Sequence, residues 1–201
     1  MFMEVVLKNN IIIAGVPRAG KSTLANKLSR KYGYQHVSMD AIVAGFEEVF
    51  PELGIAWWPS KATDMPPLDV LRNVSGKVAL FIRAMLDSGE YDEFEPGAVF
   101  DVYQLFPEDY IKYLSGRNCD IVYLLTSDVT PEERFSIQKT YDTEKDYSFH
   151  TPDDELRKSC EELVEQSKFI RNQCIEHSLP YYETAKDRVN AFNLVIKSYK
   201  V

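Results

Sequence analysis

The sequence predicts an α/β fold in which a parallel sheet of five short strands is wrapped on both faces by helices. Two observations predict it. Short apolar or β-branched runs alternate with helical patterns from end to end, as strand–helix–strand units with right-handed crossovers require. The first such run leads straight into G-V-P-R-A-G-K-S and from there into a helical pattern, so a glycine loop joins the first strand to the first helix. With 201 residues, 45% of them apolar, the chain can bury one core with an excursion. Residues 1–201 are accordingly read as a single domain.

Taken in order, residues 11–14 (IIIA) form a continuous apolar run, as in a strand covered on both faces. A helix is expected over 21–32, a strand over 36–38 and a helix over 41–49. The connection 51–66, PELGIAWWPSKATDMP, is longer than a crossover needs. It leads to a helix over 67–88, whose core stripe is Leu71, Val74, Val78, Phe81 or Ile82, and Met85. A strand over 98–102, a helix over 107–114, a strand over 121–126 and a helix over 131–139 follow. A second long connection, 141–152, reads YDTEKDYSFHTP. The last elements are a helix over 153–177, a strand over 180–183 and a helix over 186–199. No internal repeat or low-complexity stretch interrupts the pattern.

Composition narrows the partners. The net charge is −8, and no basic stripe is visible, which argues against nucleic acid. Cys119, Cys160 and Cys174 are odd in number and form no C-x-x-C pair. Cys160 and Cys174 fall on the apolar stripe Leu156, Cys160, Leu163, Ile170, Cys174, which suits core packing. His36, His150 and His177 lack metal-ligand spacing. The opening MFMEVVLKNN is not built like a signal peptide, and no apolar run reaches membrane-spanning length. The expectation is a cytoplasmic protein, monomer or homodimer, with no membrane contact.

The chemistry begins at G-x-x-x-x-G-K-[ST], matched by Gly15, Gly20, Lys21 and Ser22. With glycine at about 7% of residues, a chance match in a chain of this length is on the order of one in a hundred. The strand before it and the helix after it are the context the mechanism demands. Backbone N–H groups from Ala19 to Thr23 can curl around a phosphate, helped by the positive end of the helix dipole. Lys21 is spaced to bridge the β- and γ-phosphates and the Ser22 hydroxyl to ligate Mg²⁺. Gly15, Arg18, Ala19, Gly20, Lys21, Ser22 and Thr23 form the expected nucleotide-contact set, for ATP with Mg²⁺.

The stretch GVPRAGKSTLANKL resembles the phosphate loop of small-molecule P-loop kinases, the group of nucleoside-monophosphate, shikimate and uridine kinases. The order of elements agrees over most of the chain. The resemblance implies a three-layer P-loop NTPase fold with sheet order 2-3-1-4-5. It also implies an acidic residue after the second strand and another ending the third; HVSMDAI puts Asp40 at the end of the second and AVFDVYQ puts Asp101 at the end of the third. Asp101 is then the metal-side carboxylate. Asp40 accepts the proton of an acceptor hydroxyl or holds the other side of the metal, unless it merely caps the following helix. Lids in this family carry arginines that neutralise the transferring phosphoryl group. The lid-like segment 141–152 has none, so Arg134 before it is assigned the catalytic role and Arg157 after it is a second possibility; a solvated helix face is the plain alternative for both. The segment after the fifth strand, YYETAKDRVN, has the position of an adenine loop.

Residues 41–95 are the expected acceptor excursion. Arg72, Gly76, Ala79 and Arg83 recur at helical spacing beside the core stripe, so two guanidiniums flank a strip of small residues. Such a strip suits an anionic acceptor, a nucleoside monophosphate or an acid metabolite, bound by Arg72 and Arg83. The alternative is a solvated face with Gly76 breaking the helix in two. Trp57 and Trp58 either stack on a ring or plug the core. A GTPase would need an N-K-x-D guanine motif, which YLLTSDVTPEER does not offer. The expected function is an ATP-dependent phosphotransferase acting on a small acceptor. Its rival is an ATP-binding regulatory module without phosphoryl transfer.

Overall fold

The structure, a computed structural model, describes residues 9–55, 67–93 and 95–199. The elements run β1 (Asn10–Gly15), α1 (Lys21–Tyr32), β2 (Gln35–Ser38), α2 (Met39–Val49), α3 (Pro67–Asp87), β3 (Ala98–Asp101), α4 (Pro107–Tyr113), β4 (Cys119–Leu125), α5 (Pro131–Tyr141), α6 (Asp153–Glu176), β5 (Tyr181–Glu183) and α7 (Arg188–Ser198). The strands pair in parallel in the order β2-β3-β1-β4-β5, with helices on both faces. This is the expected 2-3-1-4-5 sheet.

All six residues of β1 are buried, because strands pair on both sides of it and helices cover both faces. Its one polar side chain is used rather than stranded. Asn10 Oδ1 accepts from the Ala98 N–H at 2.8 Å, and its Nδ2 donates to the Asn118 carbonyl at 3.1 Å, tying β1 to the approaches of β3 and β4.

The chain leaves β1 at Gly15, where φ is +125° and an added Cβ would meet the Leu124 carbonyl oxygen at 2.0 Å. Backbone on β4 cannot step aside, so this position demands glycine for two independent reasons. Gly15→Ala should therefore destabilise the fold by about 2–4 kcal/mol, read as loss of thermal stability. An unchanged melting temperature would contradict this placement of the loop.

Several boundaries differ from the sequence reading. β4 begins at Cys119, and α7 begins at Arg188 because Asp187 caps it, its Oδ1 accepting from the Asn190 N–H at 2.9 Å. α3 is one continuous helix, and Gly76 does not break it. Instead Gly76 lies against α4, where an added Cβ would come within 3.4 Å of Asp109 Oδ1. Asp40 does not end β2: the strand stops at Ser38, which holds the N-cap position, and Asp40 is the second residue of α2.

The core gathers around the sheet, and α6 joins it through Ile170 and Cys174. A second, smaller cluster of Phe135, Leu156 and Cys160 sits between α5 and the opening turns of α6. The three cysteines are free and buried, and burial pushes the Cys119 and Cys174 thiols up to about 12, as expected of packing residues. Among the described residues no helix is long and apolar enough to cross a membrane.

Candidate active site

The phosphate loop, residues 15–22, spans the gap between β1 and α1 at the carboxyl end of the sheet, where open α/β sheets place ligands. Its shape depends on left-handed backbone at Arg18 (φ 62°) and Gly20 (φ 94°). A Cβ on Gly20 would lie 2.7 Å from the Phe192 ring of α7, so that helix presses the loop from outside. Ser22 and Thr23, in the first turn of α1, are exposed and available to a ligand.

Lys21 is buried in the site. Its Nζ donates to the Val16 carbonyl at 3.0 Å and lies 5.7 Å from the centre of the Tyr103 ring. Burial lowers its pKa; the charges of Asp101 and Asp40 oppose that shift, and Arg134 adds to it. Lys21, Asp40 and Asp101 thus form one electrostatic cluster although they come from three segments of chain.

Asp101 ends β3 beside Ile13 of β1 and Ser38 of β2, and it is 3% exposed. Its Oδ2 lies 3.6 Å from His36 Nε2, whereas its Oδ1 has no hydrogen-bond partner. Asp40 reaches across from α2: its carboxylate accepts from the Tyr103 N–H and the Gln104 side chain, and its Oδ1 is likewise unpartnered. It therefore does not cap α2. Burial raises its pKa, Lys21 pulls it back and Asp101 raises it again. Two carboxylates, Asp101 buried and Asp40 half-buried, each with one buried and unanswered oxygen near a buried lysine, are expensive in a structural role.

Those orphan oxygens also bear on magnesium. Among the described residues no group of three or more His, Cys, Asp or Glu side chains could hold a metal by itself. Magnesium needs no such cage, since one or two carboxylates plus substrate phosphates commonly suffice. Asp101 Oδ1 and the exposed Ser22 hydroxyl fit that donor set.

Arg134 of α5 and Arg188 of α7 meet the loop from the other side. Helix α5 starts with a capping box: the Thr130 hydroxyl accepts from the Glu133 N–H at 3.2 Å, and the Glu133 carboxylate accepts from the Thr130 N–H at 2.7 Å. That start aims Arg134 inward. It is 4% exposed and donates to the Thr126 hydroxyl and, at 2.7 Å, to the Pro17 carbonyl of the phosphate loop. The solvated-face alternative is thereby removed for Arg134. Arg157 instead pairs with Glu132 on the surface and stacks 3.8 Å from the centre of the Phe135 ring. Arg18, Arg134 and Arg188 line a small pocket with Thr126, Tyr141 and Ala185. Ala185 lies just past β5, in the stretch expected to hold the base.

The structure does not bring Arg72 or Arg83 into this cluster. Arg72 lies 4.8 Å above the Phe169 ring and 4.0 Å from Glu108, and Arg83 is 4.0 Å from Asp87. Between them Gly76 packs on α4 and Ala79 is fully buried, so the strip is a helix contact and no open face. Trp57 and Trp58 lie outside the described residues. Sequence reading missed His36, Tyr103 and Gln104, and also Asp142 and Asp146, which bind the Arg18 guanidinium. The only signal for the last two was an acidic lid facing a loop arginine.

No protein-family model matches the chain, and no curated protein matches it. Solved structures do. Shikimate kinase from Acinetobacter baumannii in complex with shikimate superposes with a TM-score of 0.53 at 17% identity, over 94% of this chain and 93% of that one. Shikimate kinase from Bacteroides thetaiotaomicron gives 0.51 at 17% identity, over 94% and 95%. A gluconokinase from Sinorhizobium meliloti gives 0.53 at 14% identity, over 97% and 93%. The fold is that of the small-molecule P-loop kinases.

Proposed function

We propose that the protein is an ATP-dependent phosphotransferase that moves the γ-phosphoryl group to a hydroxyl of a small acid metabolite. The observation that carries this reading is the convergence of Lys21, Asp40 and Asp101, with one buried oxygen of each carboxylate left for a ligand. A module that only bound nucleotide would have no use for Asp40 beside the loop lysine.

In this reading the phosphates sit in the loop 15–22, and the base rests along the stretch that follows β5, where Ala185 lies. Lys21 holds the β- and γ-phosphates, and Asp40 orients the acceptor hydroxyl through its free oxygen. The hydroxyl oxygen bonds to the γ-phosphorus while the bond to the β–γ bridging oxygen breaks. The electron pair stays on the departing nucleoside diphosphate, and the hydroxyl proton passes to Asp40. Asp101 and Ser22 would hold Mg²⁺, which when bound offsets the charge of the phosphates. The acid class is favoured over a nucleoside monophosphate because the structural neighbours above take their names from shikimate and gluconate.

The test is a panel of hydroxy acids, sugars, nucleosides and nucleoside monophosphates, incubated with ATP and Mg²⁺ and examined for phosphorylated products. Saturating nucleotide at 100 times its Kd should also stabilise the fold by about 2.7 kcal/mol. No product from any class, together with no melting shift from any nucleoside triphosphate, would overturn the proposal.

A further inference from the structure

The lid-like segment contains no arginine, yet it is fastened to one. Arg18, inside the phosphate loop, donates to Asp142 at the end of α5 and to Asp146 in the segment itself. The Asp142 side chain is 1% exposed, so this is not a solvated surface pair. Asp146 is fixed in turn by its own loop, its Oδ2 accepting from the Thr143 N–H at 2.9 Å and the Thr143 hydroxyl at 2.8 Å. The Thr143 N–H and the Arg18 guanidinium hold the Asp146 carboxyl down at about 2. Arg188 of α7 donates to the Arg18 carbonyl at 3.0 Å, so the backbone beneath the guanidinium is braced as well. A non-glycine residue in left-handed backbone is uncommon, and here it turns a cation toward the lid from a loop built to wrap phosphate.

We infer that Arg18 supplies to the transferring phosphoryl group the guanidinium that the lid lacks, and that Asp142 and Asp146 are the positioning residues that hold it there. This rests on the phosphotransferase reading. The usual polarity is reversed: the cation belongs to the loop and the carboxylates to the lid, so docking of the lid fixes the arginine instead of delivering one. A bidentate clamp leaves the remaining N–H donors of the guanidinium to meet charge that develops on the equatorial phosphoryl oxygens. The atoms transferred and the proton's path to Asp40 are those given above; Arg18 forms no covalent bond.

Two measurements on the full chain test the inference. In steady-state kinetics, Arg18→Ala should lower kcat by about 10²–10³-fold with little change in the KM for ATP, and Arg18→Lys should recover only part of it. Asp146→Asn and Asp142→Asn should each lower kcat by about 10-fold, and neither should add to the loss once Arg18 is alanine. Additive losses, or an Asp146→Asn protein that binds ATP more tightly with undiminished turnover, would overturn the inference; in the latter case the carboxylates merely compete with phosphate. The second measurement needs no acceptor. Aluminium fluoride, a mimic of the planar phosphoryl group, should tighten ADP–Mg²⁺ binding in the wild type and much less in Arg18→Ala. If no acceptor is ever phosphorylated the kinase reading fails by itself. Aluminium fluoride still decides on Arg18, because an equal gain in both proteins, or no gain in the wild type, overturns its role.

Discussion

Lys21→Ala is expected to lower phosphoryl transfer by about 10²–10³-fold. Lys21 is buried, and its position is set by the loop turn, so no neighbouring side chain can take its place. The same change removes the cation whose charge offsets the burial of the Asp40 carboxylate. Asp40 is already raised by burial, and losing Lys21 raises it further. A carboxyl whose folded-state pKa lies above its unfolded value costs stability once pH exceeds the ordinary carboxylate range, and that cost disappears as pH falls. The variant should therefore melt lower than wild type at pH 8 and recover toward pH 5. Calorimetry across that range together with turnover checks both parts, and undiminished turnover would remove Lys21 from the chemistry.

Asp40→Asn should separate catalysis from stability. Turnover should fall by about 10²–10⁴-fold, while affinity for ATP stays close to wild type. Because asparagine carries no charge to bury, the fold should hold or gain about 0.5–2 kcal/mol at neutral pH. In the wild type the acidic limb of the rate profile should lie above the ordinary carboxylate range, since the base must be ionised and its pKa is raised by burial. That limb should vanish in the variant. Full activity with a lower melting temperature would instead make Asp40 a structural residue.

What was legible in the chain was what is local. The phosphate loop, β1 and α1 are contiguous, and each needs residue types found at fixed spacing. Asp101 stood out because a carboxylate inside an apolar run has few structural uses, and the structure buries it with one oxygen unpartnered. The sheet order came from the family resemblance rather than from any strand's own residues. The errors have a common cause. Arg18 meets Asp142 across 124 residues and Asp146 across 128, and no periodicity within either segment records that pairing. The strip of Arg72, Gly76, Ala79 and Arg83 lies on one helix, but the sequence could not say that Gly76 packs on α4 and that Ala79 is buried. Small residues at helical spacing serve close helix packing as readily as they admit a ligand. Asp40 falls inside α2 because that helix begins at Met39, two residues earlier than its sequence pattern suggested.

The two ends of α6 belong to different neighbourhoods. Its later turns are embedded with the sheet through Ile170 and Cys174, and its opening turns share with α5 the small cluster of Leu156, Cys160 and Phe135 and the surface pairs Arg157–Glu132 and Lys139–Asp153. A helix anchored so unevenly should not open as a unit. Amide hydrogen exchange ought to slow progressively from Leu156 toward Cys174, with α5 exchanging alongside the fast end. The lid-like segment between α5 and α6 would then ride on the part of the molecule that unfolds most readily, while β1 and the loop that follows it keep their shape.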